Sequence, residues 1–357
     1  MIKIKILVVD DSAFSRRTIT KMLEDIAFVE VVGYAINGED GIQKVITLKP
    51  DLVTLDLEMP KMDGFTLLRI LTTRFSLPVI VISALSGADK VFKALELGAL
   101  DFVSKPTSDA SIDLLSIKED LHKKVLHIIA AKSRDISDSR ATDKVPEKLH
   151  SLTPINAVRV ASGSRHPIDL IAIGSSTGGP PALQQIFSSF EQKHPFAIVV
   201  SQHMPAGFTK AFAERLDRYS AFDVKEAEDG DLVLPGRILI APGGKNLVFE
   251  VCDGQVTARV IMPSDTDRYV PSVDVMLESC SGIYKKRVAA LILTGMGNDG
   301  SRGVRAIKAQ GGYVFAESEE TAVVYGMPRE AVATGVVDRI IPLHRVTNEI
   351  VSKGGFA

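Results

Sequence analysis

Three short stretches carry side chains suited to acyl-transfer chemistry. The first, IGSSTGGPPALQQIF (Ile173–Phe187), fits the pattern G-x-S-x-G from Gly174 to Gly178. Between a buried strand and a helix, this pattern lifts its middle serine, Ser176, on a tight turn, and the next backbone N–H, that of Thr177, can face a developing oxyanion. A phosphate cradle fits less well. Gly174 and Gly179 have P-loop spacing, but Pro180 and Pro181 stand where a lysine and a hydroxyl are needed. The dinucleotide fingerprint fails at Ser176, which holds the place of its second glycine. A non-nucleotide anion site at the helix start stays open.

A serine needs a base and a group to orient that base. Of seven histidines, only His203, in VVSQHMPAGF, ends a buried strand on the same edge as Ser176. His122 and His127 fall in a helical region, His150 and His166 in a linker, His194 in a loop and His344 near the C-terminal end. The third stretch, ALILTGMGNDGSRG, places Asp299 before a helix, among glycines (Gly295, Gly297, Gly300) that allow close backbone approach. Asp299 either orients His203 or caps its own helix, and Asp265, Asp267 and Asp274 are rivals for the orienting role. The chain order Ser–His–Asp differs from that of the α/β-hydrolases, chymotrypsin and subtilisin, but a triad is defined by geometry.

A second chemistry is written at the start of the chain. Asp10 and Asp11 end the first predicted strand and Asp56 the third. Three carboxylates brought together repel one another and ask for a cation, and oxygen-only ligation suits Mg²⁺ with a phosphate partner. Ser83 and Lys105 end the fourth and fifth strands, adding a hydroxyl and an ammonium to a site for a phosphoryl group.

The elements behind these residues alternate. Apolar strands at Ile4–Asp10, Val29–Tyr34, Leu52–Leu57, Val79–Ser83 and Phe102–Ser104 are separated by helical patterns, and an amphipathic helix at Ile112–Lys132 closes the unit. Residues 135–167 lack periodicity and read as a linker. Alternation resumes with DLIAIGS, FAIVVSQH, RVAALILTG and GGYVFA, interrupted by NLVFEV and VTARVI, whose connecting CDGQ suits a hairpin. The expectation is α/β throughout: two doubly wound parallel-sheet domains, the first flavodoxin-like (1–134) and the second of α/β-hydrolase type with an antiparallel insertion (168–357).

The bulk properties narrow the function. The chain has 357 residues, 45% hydrophobic and 24% charged, with a formal net charge of −2. No basic face marks a nucleic-acid footprint, which argues against a transcriptional regulator. Cys252 and Cys280 define neither a metal spacing nor a disulfide framework. The opening MIKIKILVVDD reads as a buried strand rather than a signal peptide, and no apolar run is long enough to span a membrane. A cytoplasmic protein without membrane insertion is expected.

LVVDDS, LDLEMPKMDG, VISA and SKP together resemble the receiver domain of two-component response regulators. The resemblance implies that Asp56 accepts a phosphoryl group from a histidine kinase. Asp10, Asp11, Asp56 and the Glu58 backbone carbonyl would hold Mg²⁺, Ser83 and Lys105 would touch the phosphoryl oxygens, and Phe102 would report the switch. IGSSTGG, SQHMPAGF and LTGMGNDG resemble the catalytic domain of the chemotaxis-specific methylesterase family. That implies Ser176 as nucleophile, His203 as general base, Asp299 as its orienter, and the Thr177 and Met296 amides as the oxyanion hole. The substrates would be glutamate methyl esters, and glutamine amides, on methylated chemoreceptors, with no cofactor for the esterase step. The phosphodonor would be a chemotaxis histidine kinase. A non-catalytic receptor-binding module is the alternative.

Overall fold

The computed structural model describes residues 3–83, 88–105, 117–126, 128 and 168–354. The expected linker and both ends of the helix placed at Ile112–Lys132 lie outside the described residues.

The first unit is a five-stranded parallel sheet in the order β2-β1-β3-β4-β5. Its strands are β1 (Ile4–Val9), β2 (Val29–Ala35), β3 (Leu52–Asp56), β4 (Val79–Ser83) and β5 (Asp101–Ser104). Four helices connect them: α1 (Ala13–Glu24), α2 (Gly38–Leu48), α3 (Gly64–Arg74) and α4 (Ala88–Glu96). A further helix, α5, covers 117–126. Each of the first three connecting helices starts at a capping side chain, Ser12, Asn37 or Asp63, that accepts a hydrogen bond from a first-turn amide. Strands β3 and β4 are buried along their whole length, as expected of a sheet covered on both faces. The order reverses between β1 and β3, and the three carboxylates gather there.

The second unit holds a seven-stranded sheet in the order β14-β13-β12-β6-β7-β9-β8, parallel throughout. Its strands are β6 (Leu170–Ser175), β7 (Ala197–Gln202), β8 (Asp223–Glu226), β9 (Arg237–Ile240), β12 (Val288–Ile292), β13 (Tyr313–Glu317) and β14 (Arg339–Ile341). The helices are α6 (Gly179–Ser188), α7 (Thr209–Asp217), α8 (Val273–Tyr284), α9 (Ser301–Ala309), α10 (Met327–Ala333) and α11 (Val346–Gly354). The expected antiparallel insertion is the hairpin β10 (Asn246–Cys252) and β11 (Gln255–Ile261), turning at Asp253-Gly254 with both residues at positive φ. This sheet's order reverses between β6 and β12, so the segments after β6, β7 and β12 meet at one edge.

The two units share a core. One apolar cluster runs from Phe92 and Phe102 of the first into Phe187, Phe208 and Phe212 of the second. The Phe102 and Phe208 rings lie 4.7 Å apart, and Phe92 stacks on Phe212 at 5.3 Å. Glu96 of α4 pairs with Arg215 of α7.

Helix α8 approaches the second sheet so closely that a side chain at Gly174 would collide with Val273. Replacing Gly174 by alanine therefore overpacks the seam between β6 and the start of α8. A loss of about 1–3 kcal/mol is expected, measured as a lower urea midpoint without a change in slope.

Candidate active site and acidic cluster

Ser176 follows β6 on a turn closed by Gly178, whose φ of +79° is left-handed and starts α6. Pro180 and Pro181 occupy its first turn, where their missing N–H groups cost nothing. Ser176 is half-buried, its amide donates to Thr294 O at 3.0 Å, and its hydroxyl has no hydrogen bond among the described residues.

The serine and histidine turns are joined by a residue not singled out in the sequence. Gln202, buried at the end of β7, donates from Nε2 to Ser176 O (2.9 Å) and His203 O (3.0 Å). Its Oε1 accepts from Ser175 Oγ at 2.6 Å, and His203 N donates to Ser175 O at 3.0 Å. Gly179 has no room for a side chain, because that amide group fills the space. The available signal was a lone amide ending the strand AIVVSQ, whose six positions are all buried.

His203 Nε2 lies 2.8 Å from Asp299 Oδ2. That carboxylate also takes donors from Val273 N (2.7 Å), Asp274 N (2.9 Å), Ser272 Oγ (3.1 Å) and Gly300 N (3.1 Å). Burial pushes its pKa up, but His203 and the amides at the start of α8 outweigh this and hold it below the ordinary value. Asp299 thus faces the first turn of α8, while Asp274 accepts from Arg302 N and Gly303 N in the first turn of α9. Of the rivals, Asp274 is spent on that cap, Asp267 holds Asn246 and Ser264, and Asp265 is exposed.

The third loop closes against the serine. A side chain at Gly295 would come 2.8 Å from Ser176 Cβ. Thr294 donates its hydroxyl to Thr177 O (2.9 Å) and its amide to buried Glu317 Oε2 (2.7 Å). The amides of Thr177 and Met296 have no acceptor among the described residues, so both are free to hold an anion.

A cleft of about 310 Å³ opens over Ser176 and His203, with Met204, Arg268, Tyr269 and Met296 on one wall and Ser104, Lys123 and Lys124 on the other. The second wall belongs to the first unit. Buried Asp101 of β5 accepts the Thr177 hydroxyl and lies 3.3 Å from Lys124. The residue after the nucleophile candidate is thus tied to the first unit.

At the other site, Asp10, Asp11 and Asp56 each offer an oxygen within 4.8 Å of the others. Lys105 Nζ stands 2.6 Å from Asp56 and 3.3 Å from Asp10. Burial pushes Asp10 up to about 6, with Lys105 opposing and Asp56 adding to the rise. Burial pulls Lys105 down, but Asp56 and Asp10 outweigh it and raise its pKa. Asp10 Oδ2 is buried with no well-aligned hydrogen bond, only the Lys105 ammonium at 3.3 Å, and Glu58 O accepts none among the described residues. Hard oxygen donors with an unsatisfied lone pair fit Mg²⁺. Ser83 ends β4, buried, its carbonyl accepting from Lys105 N at 2.7 Å, and Phe102 lies in β5.

Residues 171–350 match the CheB methylesterase family model and residues 6–115 the response regulator receiver domain. Protein-glutamate methylesterase/protein-glutamine glutaminase 3 of Geobacter sulfurreducens is 54% identical over 99% of this chain and 98% of its own. Protein-glutamate methylesterase/protein-glutamine glutaminase 1 of Myxococcus xanthus is 45% identical over 95% and 94%. The crystal structure of the Thermotoga maritima CheB methylesterase catalytic domain is 41% identical, with a TM-score of 0.51, covering 52% of this chain and 99% of that one.

Two expectations follow from this geometry. Gln202→Leu keeps the side-chain bulk but strands the His203 carbonyl and the Ser175 hydroxyl, while Ser176 O keeps only the Gly179 amide. It should slow labelling of Ser176 by a serine-directed acylating reagent at least tenfold and cost about 1–3 kcal/mol of stability. Asp10→Asn removes a like charge, so the metal-free chain should melt slightly higher while losing most of the Tm gain that Mg²⁺ gives the unmodified chain.

Proposed function

The chain belongs to the CheB methylesterase family and carries a response regulator receiver domain, and from that premise we propose which residues perform and regulate its chemistry. It is a carboxylic ester hydrolase, a protein-glutamate methylesterase with protein-glutamine glutaminase activity, that demethylates chemoreceptors. The observation that carries the assignment is the pair of Asp299 and His203 on the cleft that Ser176 lines, where the Ser176 hydroxyl and the Thr177 and Met296 amides have no hydrogen-bond partner among the described residues.

Ser176 Oγ attacks the glutamate γ-methyl ester carbonyl as His203 takes its proton. Asp299 occupies Nε2, so Nδ1 is the nitrogen left for this transfer. Asp299 stays ionised, fixes the tautomer and stabilises the imidazolium that forms. The Thr177 and Met296 amides receive the oxyanion. His203 passes the proton to methanol, then activates the water that releases glutamate. With a glutamine substrate, ammonia leaves in place of methanol through the same acyl-enzyme.

In the receiver domain, taken as residues 1–134, Asp56 accepts the phosphoryl group of a chemotaxis histidine kinase. Asp10, Asp11, Asp56 and the Glu58 carbonyl would hold Mg²⁺, which when bound would supply positive charge to offset that of the phosphoryl oxygens. Lys105 now pairs with Asp56 and is drawn to the new anion with Ser83. Phe102, three residues from Lys105 along the chain, packs on Phe208 of the catalytic domain, which offers a route between the sites. With Asp101 on Thr177 and α5 along the cleft, the unphosphorylated receiver closes off the serine from a receptor helix. The catalytic domain, taken as residues 168–357, is released when this contact parts.

Ser176→Ala should abolish methanol release from methylated receptor while leaving Asp56 phosphorylation by an acyl-phosphate donor intact; retained hydrolysis would refute the nucleophile. Arg215→Glu should raise donor-independent methanol release several-fold by breaking the pair with Glu96, and adding Glu96→Arg should bring it back down. An unchanged basal rate in both would contradict closure by this interface.

A further inference from the structure

The mechanism leaves one ring unexplained. Tyr269, on the segment between β11 and α8, lies face to face with His203, centroids 5.0 Å apart and planes within 4°. Its hydroxyl end presses on Gly297, where no side chain could be accommodated and φ is +85°. Tyr269 is thus wedged between the base and the loop that carries Met296 and Asp299. Asp299 fixes one nitrogen of the imidazole, and the tyrosine fixes the plane in which the other nitrogen lies.

We infer that Tyr269 is a positioning residue for the reaction, its ring face holding the His203 imidazole in plane and stabilising it once it carries the serine's proton. The inference rests on His203 being the general base. A neutral imidazole gains little from an aromatic face, whereas an imidazolium gains a cation–π attraction. On the reaction path the imidazole takes up a proton around the two tetrahedral transition states, so the gain enters kcat rather than KM. The proton moves from Ser176 Oγ to His203 and on to methanol, and the ring takes no part in bond making.

Other charges act on the same imidazole. Asp299 favours its charged form, and Asp274 stands behind Asp299 at the start of α8. Across the cleft, α5 presents Asp120, Lys123 and Lys124, and Asp101 of β5 reaches Thr177. Nearest the ring, the Arg268 guanidinium lies 5.6 Å from the Tyr269 centroid. It competes for the same ring and repels the imidazolium. Ring and arginine therefore push the protonation of His203 in opposite directions, which separates this role from simple packing.

The test measures methanol release from methylated receptor against pH, using the full chain with an acyl-phosphate donor and Mg²⁺. Tyr269→Leu, apolar and of similar depth, should lower kcat about three- to fivefold with KM within about twofold. The acid limb of its rate profile should move down by about half a pH unit, because the imidazolium has lost support. Tyr269→Phe keeps the ring and should stay within about twofold of the unmodified chain. Arg268→Gln should move the acid limb upward by a few tenths of a unit. An unmoved limb in Tyr269→Leu, a change confined to KM, or an equal loss in Tyr269→Phe would overturn the inference. Should Tyr269→Leu fail to fold, Tyr269→Trp decides: near-normal kcat with an unlowered acid limb supports the role, and a limb displaced downward refutes it. No methanol from the unmodified chain at any pH would instead sink the esterase reading itself.

Discussion

The catalytic half is organised around one carboxylate. Asp299 accepts five hydrogen bonds, four from groups that belong to the entries of α8 and α9 and one from His203. Buried carboxylates are costly unless satisfied, and here the positive end of α8 does the satisfying. Asp274, in the first turn of α8, accepts first-turn amides of α9, as Asp299, just before α9, accepts those of α8. Asp299, the proposed orienting acid, is consequently held by the scaffold, and His203 keeps its second ring nitrogen for the proposed proton transfer.

Close approach of backbones is the second constraint. Gly174 admits Val273, Gly179 admits the Gln202 amide and Gly295 admits the Ser176 turn. At Gly179 and Gly295 a methyl group would push apart two of the three segments that meet at the reversal in strand order, and at Gly174 it would push β6 from α8. Gln202 and Thr294 then bridge the gaps with hydrogen bonds to main-chain oxygens. The site is a junction of strand ends, and its accuracy comes from groups that never touch substrate.

Much of this was legible in the residues. The strand-ending acids, G-x-S-x-G with its prolines and the lone strand-end histidine each followed from a local rule, and the parallel sheets followed from alternation. The choice among Asp265, Asp267, Asp274 and Asp299 did not, because it depends on which helix start each acid faces, a fact of packing between α8 and α9. Gln202 was hidden for a related reason: its partners are main-chain oxygens, which leave no trace in residue type. Strand β8 escaped because it is short, polar and at the sheet edge, and α8 because its buried positions, including Met276, Leu277, Cys280 and Ser281, give no simple amphipathic stripe. Tyr269 carries no local signal at all.

The aromatic seam between the two halves has a consequence for the active form. Phe92, Phe102, Phe208 and Phe212 are nearly inaccessible while the halves are together. Separation far enough to admit a receptor helix would wet these rings. The proposed release would therefore open a greasy surface beside the candidate site for as long as the acyl phosphate lasted. Such a surface is adhesive: it can grip a helical target near the scissile bond, and it exposes the working enzyme to clumping with its own kind. Under the same proposal, loss of the phosphoryl group would let the rings pack together again and cover that surface.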